Sequence, residues 1–88
     1  MDNLTILKNL IDNQLDYDTF NLKEILAPNT SPADVVDLFR ILGWKRENFD
    51  TNGWEQDTWN YMVNPQYDFK ITFFYSGYFG NLELWKED

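Results

Sequence analysis

The 88-residue chain contains no cysteine and no histidine. No disulfide, zinc–thiolate site, thiol nucleophile or histidine general base can therefore be built from it. Basic residues are scarce: 7 Lys and Arg stand against 15 Asp and Glu, a net charge of -8. So acidic a chain is a poor ligand for nucleic acid or an anionic membrane, because both surfaces are negative. No apolar run approaches the ~20 residues needed to span a bilayer. The start, Met1-Asp2-Asn3-Leu4, lacks the basic n-region and apolar run of a signal peptide. Together with the missing cysteines this leads us to expect a cytoplasmic protein. Glycine (4) and proline (3) are few, and each glycine falls where a cap or turn would use it.

What is present argues for a packed fold. Aromatic residues make up 18% of the chain, far from the aromatic-poor composition of acidic disordered segments. Each large ring buries roughly 150–250 Å², which matters in a chain that must stabilise itself by packing alone. A chain of this length hides about 65% of its unfolded surface, enough for a single compact domain over residues 1–88.

The periodicity changes midway. Leu4, Leu7, Leu10, Ile11 and Leu15 recur at helical spacing, with Asp2 or Asn3 as N-cap. A second short helix is expected with Phe20, Leu22, Ile25 and Leu26 as its apolar set and Asp18 or Thr19 as its cap. It should end before Pro28. The third helix, 32–42, is the best marked. Ser31 caps it, Pro32 opens it and Asp34 completes a capping-box-like start. Val35, Leu38, Phe39 and Leu42 form its stripe, and Gly43 follows as a left-handed cap. Beyond it lie thirteen of the sixteen aromatics. Trp59, Tyr61 and Val63 alternate. Tyr67 through Tyr75 alternate as the clearest strand, and Leu82, Leu84 and Trp85 mark a final one. A strand over Trp44 to Phe49 is the optional fourth. The expected fold is α+β, with two or three N-terminal helices packed on a C-terminal three- to four-stranded antiparallel sheet.

Catalytic and metal-binding patterns are weak. Asp16-x-Asp18 would suit a shared cation, but a self-capping turn uses the same residues. Asp50-x-Asn52-Gly53 misses the calcium-loop register, because glycine arrives too early. No phosphate-binding glycine pattern or nucleophile elbow is present. We expect no enzyme, no cofactor and no metal.

Two features lack a full structural reason. Asp12 and Asp16 lie four apart, a repulsive spacing on one helix face, with no Lys or Arg between Asn9 and Phe20 to offset it. Tyr78 and Phe79 occupy a turn between two glycines, where small polar residues are usual. Either one ring folds back over the sheet edge, or both are binding anchors. Phe74 opposite Phe73, and Trp85 beside Leu84, put apolar side chains on both sheet faces, so a partner or a second copy could cover one of them.

The expected role is that of a small acidic, non-enzymatic protein that binds and inhibits another protein at a basic, nucleic-acid-acting site. Asp12, Asp16 and Asp18 would supply the attraction, with Tyr78 and Phe79 as anchors. By size and charge the chain resembles phage-encoded anti-defence inhibitors, the anti-CRISPR type included, and toxin-immunity proteins. A phage-encoded member would work in the host-cell cytoplasm, and the net charge leads us to expect no direct nucleic-acid or membrane partner. The alternative is a small intracellular adaptor or homodimeric regulatory module working through its aromatic sheet face.

Overall fold

The computed structural model describes residues 1–87. Helix α1 (Asn3–Asn9) is capped by Asp2, whose side chain accepts from the Thr5 N–H. It runs into a π-turn over Leu10–Gln14, closed by Leu15 N–H donating to Leu10 O at 2.8 Å. Strand β1 (Phe20–Asn21), helix α2 (Leu22–Ile25) and helix α3 (Pro32–Ile41) follow. The sheet is completed by β2 (Lys45–Asn52), β3 (Asp57–Val63), β4 (Ile71–Ser76) and β5 (Asn81–Lys86). Its order is β1-β5-β4-β3-β2, antiparallel throughout.

The sheet thus has five strands, not three or four: β2 fills the place of the optional fourth and β1 is the addition, and both escape hydrophobic patterning for physical reasons. All eight residues of β2 are exposed, so no inward–outward alternation marks it. It is an edge strand carrying Lys45, Arg46, Glu47 and Asp50, with a register shift between Arg46 and Asn48. Charges and bulges on an edge discourage pairing with other chains. Strand β1 is two residues long, too short for any period. Phe20, expected in the second helix, instead pairs with Leu84 and covers the edge of β5. The cap of α2 accordingly moves to Asn21, whose side chain accepts from Lys23 N–H.

Helix α3 is as expected. Ser31 Oγ accepts from Asp34 N–H at 3.1 Å, and the Asp34 carboxylate accepts from Ser31 N–H at 3.0 Å. At its other end Gly43 has φ +92, a conformation that favours glycine. Gly43 N–H donates to Arg40 O and Trp44 N–H to Phe39 O, which is a Schellman motif.

The helices cover one face of the sheet. Leu7, Leu10, Ile11, Leu22, Val35 and Phe39 pack with Met62, Ile71, Phe73, Leu82 and Leu84. Phe39 and Phe73 meet at 5.6 Å. Asn60 is buried in this layer and satisfied, donating to Phe73 O and accepting from Arg46. Tyr67 and Phe69 lie outside β4, which begins only at Ile71. They sit in the β3–β4 connection, where Trp44 stacks on Tyr67 at 4.9 Å.

Register assigns Trp59 and Tyr61 to the opposite face, with Phe74 and Trp85. The inward positions of β3 are Thr58, Asn60 and Met62. Among the described residues no helix lies over this second face. Its rings pack on one another, Trp59 to Phe74 at 5.1 Å and Phe74 to Trp85 at 6.4 Å. Among the described residues no helix is long and apolar enough to cross a membrane.

Candidate functional site

Three of the five exposed aromatic side chains gather at one end of the sheet. The β2–β3 and β4–β5 hairpins both turn there. The first presents Trp54, 92% exposed, and the second presents Tyr78 and Phe79, 71% and 60% exposed. With Glu55 they line a single open groove. Tyr78 and Phe79 meet edge to face, centroids 4.9 Å apart at 77°. Neither ring is folded into the core.

Backbone chemistry explains why the turns hold this shape. The four-residue β4–β5 loop closes through Gly80 N–H donating to Ser76 O at 2.7 Å, with Gly80 at φ +71. The Ser76 hydroxyl then joins the hairpins, donating to Glu55 O and accepting from Phe79 N–H, both at 3.2 Å. Gly77 N–H adds a bond to Gln56 O at 3.0 Å. A Cβ on Gly77 would stand 2.5 Å from the Gln56 side-chain Oε1, which can swing aside, and 3.2 Å from Gln56 Cβ. Two loops tied in this way present their rings with less freedom to lose on binding.

Asp57 lies at the base of the same end, opposite Ser76. It is 7% exposed, and its Oδ1 has no hydrogen-bond partner among the described residues.

The acids expected to accompany Tyr78 and Phe79 lie elsewhere. Asp12 accepts from Lys8 Nζ at 2.5 Å and from the Tyr67 hydroxyl. The Lys8 bond, then the Tyr67 bond, hold its carboxyl below the ordinary range, and Asp12 in turn pushes the Tyr67 phenol up. Asp12 is therefore not uncompensated, since Lys8 one turn earlier neutralises it. Nor do Asp12 and Asp16 share a helix face, because Leu15 is extended. Asp16 accepts from Asp18 N–H at 2.8 Å, the self-capping turn. Tyr67 belongs to the β3–β4 connection, and Tyr17, between Asp16 and Asp18, lies 5.4 Å from Lys86 Nζ at the end of β5. All three acids sit at the end of the sheet away from Tyr78 and Phe79, about 20 Å off by strand rise over β4.

Trp54 is the partner that sequence alone did not attach to Tyr78 and Phe79. Only strand pairing brings residues 54 and 78 together, although two hairpins turning at the same end of a meander is the signal that locates them. Among the described residues no group of three or more Asp or Glu side chains is arranged to hold a metal ion. No family model, curated protein or solved structure matches the chain.

Proposed function

We propose that this protein is a small non-enzymatic inhibitor that docks on the basic, nucleic-acid-acting site of another protein in the cytoplasm. The observation behind this reading is the gathering of Trp54, Tyr78 and Phe79, all largely exposed, on one groove of a molecule with net charge -8. Clustered rigid aromatics are favoured binding anchors, and the negative field steers the molecule toward positive surfaces. The acids at the far end, Asp12, Asp16 and Asp18, contribute to that field and do not touch the anchored contact. A phage anti-defence protein and a toxin-immunity protein would both use this physics.

Mimicry of a whole duplex does not suit the charge density. The longest dimension is 35 Å, and DNA of that length carries about 20 charges. We therefore place the inhibition in an anchored, charge-steered contact rather than in a phosphate lattice.

A second reading rests on the uncovered sheet face. Trp59, Tyr61, Phe74 and Trp85 form an aromatic layer without a helix over it, and an adaptor or homodimer would cover it. Affinity capture from the native host, with mass-spectrometric identification, supplies the partner for the test. Association is then measured from low to high salt. The inhibitor reading expects a steep fall in association rate with salt. A salt-independent rate, or a concentration-dependent dimer blocked by Trp85→Ala, would favour the second reading.

A further inference from the structure

We infer that the groove between the two hairpin tips takes the guanidinium group of an arginine presented by a basic protein surface. The inference rests on the docking reading above and names the chemistry of its anchored contact.

Tyr78 and Phe79, at 77°, offer a ring face and a ring edge at nearly a right angle. Trp54 lines the same groove from the other hairpin, and Glu55 brings a carboxylate. Ring faces are negative, so a cation within about 6 Å of a centroid is attracted, most strongly by tryptophan. None of the lining residues is a cation. Asp57, with a buried and unpartnered Oδ1, lies at the base of the same end but does not line the groove. Lys23 Nζ lies 3.1 Å from where a Gly80 Cβ would stand but lines a different groove with Ala27 and Thr30. Three rings and a carboxylate without a cation of their own suit a positive group that also stacks. Guanidinium does both, being planar, always charged and weakly hydrated.

The four tryptophans allow a direct test on the wild-type protein. Trp54 lines the groove, Trp59 and Trp85 lie on the open sheet face, and Trp44 is buried. A ¹H–¹⁵N spectrum resolves their indole N–H groups. The protein is titrated with acetyl-Gly-Arg-Gly-amide and, separately, with the citrulline counterpart, which keeps the shape and loses the charge. The arginine peptide should shift the Trp54 indole and the Tyr78 and Phe79 ring signals saturably, and leave Trp59 and Trp85 in place. Tyr78→Ala should weaken this binding about two- to fivefold, the cation–π contribution of one exposed ring. Glu55→Gln should weaken it in the same direction. Equal saturation by the citrulline peptide would overturn the inference. So would shifts at Trp59 or Trp85 instead of Trp54, or no shift at high millimolar peptide. Salt-dependent association with a captured partner judges the docking reading separately, and it can hold while the arginine assignment fails.

Discussion

Two phenylalanines six residues apart should respond very differently to the same substitution. Phe73 is fully buried, with ring neighbours Phe39 and Tyr75 both at 5.6 Å. Replacing it with alanine removes a ring from the centre of the helix–sheet layer and leaves a cavity, at a cost of about 3–5 kcal/mol. Phe79 is 60% exposed and meets one ring, Tyr78. Its loss forfeits an edge-to-face contact and a little buried area, about 1 kcal/mol. In a domain of this size each kcal/mol moves the melting midpoint by roughly 4–8 °C. Phe73→Ala should therefore melt at least about 12 °C lower, and Phe79→Ala only about 4–8 °C lower. Calorimetry with near-ultraviolet dichroism measures both. Equal losses would make Phe79 a core residue and remove it from the proposed contact.

Ser31→Ala should cost about 1 kcal/mol, because both halves of the capping box are formed; an unchanged melt would undermine that cap. Stability should fall at both ends of the pH range. Asp2, Asp12 and Asp34 are held below the ordinary carboxylate range by bonds from the Thr5 N–H, from Lys8, and from the Ser31 N–H. Their contribution is complete above about pH 4 and is lost as pH drops through the lowered folded values. Lys8 is raised by Asp12, Tyr67 by Asp12, and Tyr61 by Asp50. Their contribution is complete below about pH 10 and is lost as pH climbs through the raised values. Urea midpoints against pH should show a shallower acid limb for Asp12→Asn and a shallower alkaline limb for Tyr67→Phe. Limbs identical to wild type would break that linkage. Purified protein should give no gel shift with duplex DNA or RNA at physiological salt, given its charge; a clear shift would overturn the choice of partner.

The parts of the fold that patterning exposed are those where burial and local chemistry coincide. Ser31, Pro32, Asp34 and Gly43 write both ends of α3 into adjacent residues, and Phe73 lies on the sheet face opposite Phe74 as the alternation expects. Strand β2 was faint because an exposed edge has nothing to alternate. Phe20 pairs with Leu84 rather than joining a helix stripe, a difference the sequence does not carry because a two-residue strand has no period. Tyr67 and Phe69 continued the alternation of β4, yet they leave the sheet to pack on Trp44. The same limits apply to the candidate site. Tyr78 and Phe79 stood out as rings in a turn, whereas their grouping with Trp54 depends on strand pairing. Asp12 is offset by Lys8, which lies one residue before the base-free stretch from Asn9 to Phe20.

The decisive measurement is kinetic, on a captured partner. Tyr78→Ala with Phe79→Ala should speed dissociation about 30-fold, which is roughly 2 kcal/mol for a true anchor, with little change in association. Asp12→Asn, Asp16→Asn and Asp18→Asn together should instead slow association and flatten its salt dependence, leaving dissociation nearly unchanged. A folded Tyr78/Phe79 variant that dissociates as slowly as wild type would contradict the placement of the contact at the hairpin tips.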